Sequence, residues 1–198
     1  MTRPARPGAG ASHRVRIIGG AWRRTPLSVP DVDGLRPSPD RVRETLFNWL
    51  GQDLTGLRCL DLFAGTGALG LEAASRGAAR VVLVERDRRA LAAIAQTLAR
   101  LDAPQVRVEA SDALAALERA HAAGDRFDVV FLDPPFRQGW IERVLPRIGE
   151  LLAHPAWLYL ESESALPLDV PARLIGPGCE MVRHGRAGQV FYHLVRCS

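Results

Sequence analysis

Two stretches of this sequence carry residue types that can do chemistry. The first, LDLFAGTGALGLEA (60–73), places Gly65, Gly67 and Gly70 in a G-x-G-x-x-G pattern, which holds a nucleotide when it follows a strand and opens a helix. The second is Asp133-Pro134-Pro135-Phe136. Acids flank the glycines: Asp61 lies four residues before Gly65, Glu85 twenty residues after it, and Asp112 further on. Glu85 ends the next apolar run, where a carboxylate can accept both ribose hydroxyls of any adenosine, so it does not separate NAD from S-adenosylmethionine. Asp61 separates them better. It would repel a pyrophosphate and attract the α-ammonium of a methionine moiety, while the loop amides and a helix N-terminus receive the carboxylate. Asp112 can accept from an adenine amino group or cap the helix that starts at Ala113, and the sequence favours neither.

The prolines of the second stretch remove two backbone donors and fix φ, leaving carbonyls that point into a crevice. A rigid strand exit would explain Pro134 and Pro135, but not an Asp without an evident partner and an aromatic beside a cofactor loop. An exocyclic amine on a nucleobase needs such a set. Asp133 and the Pro134 carbonyl can accept its two hydrogens, and Phe136 can stack on the base. The nitrogen is then held about 3–3.5 Å from a sulfonium methyl for in-line displacement. Neither a metal nor a covalent nucleophile is required.

These residues need strand ends to position them. Strands are expected at 58–63, 80–85, 106–110, 127–134, 156–163, 179–184 and 189–196, with helices at about 68–76, 87–101, 112–123 and 138–153. Alternating strands and helices argue a doubly wound, mostly parallel sheet with ligands outside the carboxyl ends. The four-residue GRAG connection (185–188) is too short for a parallel crossover, so the last strand should run antiparallel. Upstream, 14–20 and 23–30 form β-like runs of a hairpin or extended arm. A helix is expected over RVRETLFNWL (41–50), capped by Ser38 or Asp40, with Val42, Leu46, Phe47 and Leu50 on one face. Three divisions follow: a disordered tail (1–12), a basic arm (13–35) and a catalytic domain (36–198).

The 198 residues are 47% hydrophobic, enough for one substantial core. No apolar run approaches the roughly 20 residues that span a bilayer, and residues 1–14 lack a signal-peptide core, so a cytoplasmic protein is expected. Three cysteines without C-x-x-C spacing read as reduced thiols. The net charge of +4 is uneven. Residues 1–43 hold nine Arg against three Asp, whereas the remainder holds seventeen Arg against nineteen acids. A basic arm on a near-neutral body suits a polyanion, because Arg neutralises phosphates and releases counterions.

DPPF after the fourth strand, together with FAGTGALGLEA, resembles the amino-group S-adenosylmethionine methyltransferases. RIIGGAWRRTPLSVP, GLRPSPDRVRETLFNWL, DPPFRQGW and AGQVFYHLVR are similar to the RsmD-type bacterial enzymes that methylate guanine N2 in small-subunit (16S) ribosomal RNA. The likeness runs from about Arg14 to Arg196, with Ser38 standing where threonine is expected. The resemblance implies a Rossmann-like class I methyltransferase fold with a seven-stranded sheet and an N-terminal β-hairpin arm. It implies cofactor contacts from Asp61, Phe63, Ala64, Gly65, Thr66, Gly67, Glu85, Arg86, Asp112 and Ala113, with Asp133, Pro134, Pro135 and Phe136 holding a flipped guanine. Arg14, Arg16, Arg23, Arg24, Arg36 and Arg41 would meet RNA phosphates. The substrate would be 16S rRNA within an assembling 30S subunit, and the enzyme a monomer. A DNA or other RNA amino-methyltransferase acting on adenine N6 or cytosine N4 is the alternative. For a DNA enzyme, the roughly sixty residues after DPPF leave no room for a target-recognition domain. A nicotinamide dehydrogenase would lack a substrate domain, and a non-catalytic RNA-binding relic would not need both motifs.

Overall fold

The computed structural model describes residues 15–30 and 38–198. Along the chain run α1 (Asp40–Leu50), β1 (Arg58–Asp61), α2 (Ala68–Ser75), β2 (Arg80–Glu85), α3 (Arg88–Leu98), β3 (Val106–Ala110), α4 (Ala113–Ala122), β4 (Phe127–Leu132), α5 (Trp140–Ile148), β5 (Leu152–Ser162), α6 (Val170–Leu174), β6 (Cys179–Ala187) and β7 (Val190–Cys197). The seven strands form one sheet in the order β3-β2-β1-β4-β5-β7-β6. Strands β1 to β5 pair parallel, and β7 runs antiparallel to both β5 and β6; β6 extends through Ala187, so the connection to β7 is only 188–189, shorter than the expected 185–188, and too short for a parallel crossover.

The central strands are apolar on both faces because helices cover both. Leu60, Val82, Val130 and Leu158 pack under α4 and α5, while Cys59, Val81, Leu83, Val129, Phe131 and Tyr159 pack under α1 and α2. Order along the sheet reverses between β1 and β4. This switch point opens a crevice at the carboxyl ends of the two strands that carry Asp61 and Asp133.

Residues 15–30 form a loose hairpin. Ile17 N donates to the Thr25 carbonyl (2.9 Å) and Leu27 N to that of Val15 (2.9 Å), around one antiparallel bridge between Arg16 and Pro26. It lies against the domain instead of projecting as an arm, since Val15, Ile17 and Leu27 are buried in the α1–α2 core. Three buried ions hold it there. Glu72 accepts from Ile18 N (2.7 Å) and Gly19 N (2.8 Å), and its charge is met by Arg76 (2.8 Å) and the wholly buried Arg43 (3.7 Å).

Three expectations change. Pro39 stands at the α1 N-cap with no side-chain cap, Asp40 is already helical, and the Ser38 hydroxyl is engaged elsewhere. A short α6 follows β5, where no helix was expected. Cys179 and Cys197 are joined in a disulfide rather than remaining thiols. They lie opposite each other across β6 and β7, a register invisible in their spacing, and only Cys59 is free, its thiol pushed up to about 12 by burial. The expected tail (1–12), Arg14 and Arg36 lie outside the described residues. Among those described, no helix is long and apolar enough to cross a membrane.

Candidate active site

The glycine loop sits where β1 hands over to α2. Gly67 adopts φ 77°, a left-handed conformation that side chains disfavour, and marks the N-cap of α2. A Cβ on Gly70 would lie 2.2 Å from Leu83 Cδ2, so only glycine lets α2 approach the sheet this closely. Glu85, at the end of β2, clamps the loop: its Oε2 accepts from Gly65 N (2.8 Å) and its Oε1 from Arg86 N and Asp87 N (each 2.7 Å). Phe63 packs edge-on against Trp140 (5.2 Å), closing one side, whereas Ala64, Thr66 and Ala113 are buried and Arg86 is exposed.

Asp61 is the most constrained group of this loop. It is 1% exposed, and its Oδ2 accepts from Gly70 N (2.9 Å). Its Oδ1 is buried with no partner at hydrogen-bonding geometry. Burial raises its carboxyl to about 7, opposed by the Gly70 amide. An orphaned carboxylate oxygen beside the loop fits a cationic ligand group and opposes a phosphate. Asp112 caps α4, accepting from Leu114 N (3.0 Å) and Ala115 N (3.1 Å) through Oδ1, so its capping role is realised.

The second stretch leaves β4 next to β1. Pro134 is buried, while Pro135 and Phe136 are exposed on the rim of a cleft closed on the other side by residues 161–164, where β5 ends, and Leu166 beyond it. Asp133 does have a partner, one that the sequence does not announce. Ser38 Oγ lies 3.2 Å from Asp133 Oδ2 and 2.5 Å from Glu161 Oε1, and the Tyr159 hydroxyl donates to that same Oε1 (2.7 Å). Burial and the neighbouring Glu161 charge push the Asp133 carboxyl well above the usual range. The available signal was an acid two residues after Tyr159 in the otherwise apolar strand AWLYLES.

Asp61, Glu85, Asp112, Asp133 and Glu161 thus stand at the carboxyl ends of five consecutive strands, and among the described residues none of them forms an ion pair. The opposite edge is neutralised: Arg58 pairs with Asp128 (3.0 Å) and Arg80 with Asp125 (2.6 Å). Such a crevice favours cations and amine donors over pyrophosphate. The basic residues are less clustered than expected. Arg16 reaches Asp40 (3.4 Å) near Ser38, and Arg41 is exposed in the first turn of α1. Arg23 and Arg24 are exposed on the hairpin turn, where Trp22 N meets Ser75 Oγ (2.9 Å), one α2 length of about 12 Å from the glycine loop.

This chain resembles known proteins. Residues 15–196 match the family model described as conserved hypothetical protein 95. Ribosomal RNA small subunit methyltransferase D of Escherichia coli (strain K12) is 45% identical, covering 98% of this chain and 94% of its own. The protein of that name from Haemophilus influenzae is 41% identical, over 81% of this chain and 85% of its own. A solved structure of a putative methyltransferase, yhhF from Escherichia coli, superposes with a TM-score of 0.80 at 42% identity, over 93% of this chain and 98% of that one. Identity at this level over nearly the whole length shows that the chain belongs to the conserved hypothetical protein 95 family, together with the ribosomal RNA small subunit methyltransferases D.

Proposed function

We propose that this protein transfers the methyl group of S-adenosylmethionine to the exocyclic N2 of a guanine in 16S ribosomal RNA, within an assembling 30S subunit. The observation that carries the reading is the meeting of the Asp61 loop and the Asp133 motif at the β1/β4 switch point, in a protein 45% identical to a small-subunit RNA methyltransferase. The cofactor supplies an electrophilic methyl group on a sulfonium. Asp61 Oδ1 is the acceptor for its ammonium, the loop amides face its carboxylate, Glu85 faces the ribose, and the oxygen of Asp112 left free by capping faces the adenine. Arg86 flanks them.

Asp133 and the Pro134 carbonyl accept the two amine hydrogens and orient the nitrogen, with Phe136 stacked on the base. The nitrogen gains a carbon and must lose one proton. Asp133 is the group placed to take it. Arg16, Arg23, Arg24 and Arg41 of the described residues, with Arg14 and Arg36, meet the RNA backbone.

Asp133→Ala tests the assignment. Methyl transfer to 16S rRNA should fall by about 10²–10⁴, the range for loss of a positioned proton acceptor, while calorimetric affinity for S-adenosylhomocysteine stays within about twofold. Undiminished turnover would refute the role of Asp133, and tight binding of NAD in place of S-adenosylhomocysteine would refute the function.

A further inference from the structure

The contact between Asp133 and Glu161 presents a problem of proton count. Glu161 Oε1 receives the Tyr159 hydroxyl (2.7 Å) and is approached by Ser38 Oγ (2.5 Å), and Ser38 Oγ also lies 3.2 Å from Asp133 Oδ2. Ser38 has one hydrogen. If it serves the shorter contact, its lone pair faces Asp133 Oδ2, and that contact is a hydrogen bond only if Asp133 brings the hydrogen. Among the described residues no cation offsets the two acids: neither forms an ion pair, and the charged or titratable groups facing them there are Asp61 on β1, Tyr159 on β5 and Tyr192 on β7. Within this cluster Arg43 on α1 reaches only the Ser38 carbonyl (3.3 Å), its charge being met by Asp40 and Glu72. Two carboxyls joined through one hydroxyl, one half-buried and the other buried, hold one proton between them.

That proton conflicts with the role proposed for Asp133, which must be ionised to accept hydrogens from an amine. We propose that Glu161 is the positioning residue that resolves the conflict, taking the shared proton through Ser38 Oγ when the guanine amine docks on Asp133. In that relay Asp133 Oδ2 passes its hydrogen to Ser38 Oγ as the Ser38 hydrogen moves to Glu161 Oε1, so one O–H bond breaks and one forms at each step and the pair keeps its single negative charge. The Tyr159 hydroxyl keeps Glu161 aimed at Ser38. Once the methyl group has transferred, Asp133 is free to accept the amine proton. The inference rests on the guanine-methylating reading above.

Isotope-edited infrared difference spectra test it on the whole protein, with S-adenosylhomocysteine bound throughout so that Asp61 is ionised. With ¹³C-labelled aspartate or glutamate, the protonated-carboxyl band at pH 7 should belong to aspartate without RNA. It should move to glutamate when 16S rRNA from cells lacking this protein is added. In Glu161→Gln no such move is expected; kcat should fall roughly 10- to 100-fold, as on loss of an outer-shell partner, with the KM for RNA unchanged. Its kcat should also rise with pH, because the Asp133 proton must now leave to solvent, whereas the wild type is flat near neutrality. A band that stays on aspartate with RNA bound, or a Glu161→Gln pH profile parallel to that of the wild type, would overturn the inference. A wild-type protein that makes no N2-methylguanine would overturn the underlying function instead.

Discussion

Replacing Asp61 by Asn separates what this side chain does for the fold from what it does for the ligand. Its carboxyl stands at about 7 against an ordinary 3.8, mainly through burial. A buried acid with a raised value destabilises the ionised fold: the penalty is absent below about 3.8, grows as pH rises and levels off above about 7. Three units at 1.36 kcal/mol each make it about 4 kcal/mol. Asn keeps the acceptor for Gly70 N but turns an unpaired amide toward the crevice, at about 1–3 kcal/mol. The net gain at pH 8 is about 1–3 kcal/mol, a Tm rise of roughly 3–10 °C in ligand-free protein that disappears between about pH 4.5 and 6 and becomes a loss near pH 4. Binding moves the other way. Loss of a buried charge partner for an ammonium costs about 3–5 kcal/mol, or roughly 10²–10⁴ in Kd for S-adenosylhomocysteine at pH 8. Wild-type affinity should rise up to about tenfold per pH unit below about 7 and then flatten, a slope the variant lacks. Scanning calorimetry and titration calorimetry from pH 5 to 8 read both effects. Equal affinity in the variant, or a slope shared by both proteins, would refute the ammonium assignment.

Glu72→Gln removes the charge that holds Arg43, Arg76 and the hairpin amides together, and should cost about 3–5 kcal/mol by urea denaturation. A loss under 1 kcal/mol would show that the hairpin holds without it. Arg23→Ala with Arg24→Ala should leave S-adenosylhomocysteine binding intact and lower the salt slope of RNA binding by up to about two, one for each phosphate that the pair neutralises. An unchanged slope would place the RNA elsewhere. Denatured without reductant, the protein should show one free thiol, from Cys59, rising to three after reduction.

The loop and the DPPF motif were legible because their chemistry is local: glycine spacing, an acid at a strand end and two prolines declare themselves within a few residues. The parallel sheet followed from periodicity, and the antiparallel β7 from a connection too short to cross over. What escaped depends on strand order. Ser38, Asp133 and Glu161 are separated by 95 and 123 residues from Ser38 outward, and they meet only because β4 and β5 are neighbours and the entry to α1 lies over their ends. In the sequence alone Ser38 therefore resembles a helix cap. Glu72 looks like an ordinary helical acid in LGLEAAS, yet it is wholly buried beneath a hairpin more than fifty residues upstream. Counting the charge of residues 1–43 as an RNA-facing cluster overstates it, since Arg43 is internal and Arg16 is paired to Asp40. The cysteine pair needed the β6/β7 register.

The central claim is methylation of guanine N2 in the small-subunit RNA. Mass spectrometry of nucleosides from 16S rRNA of cells lacking this protein, before and after incubation of their 30S particles with purified protein and S-adenosylmethionine, tests it most directly. One N2-methylguanosine per 16S molecule should be missing beforehand and restored afterwards. An unchanged N2-methylguanosine content, or a methyl group gained on adenine or cytosine instead, would contradict the account.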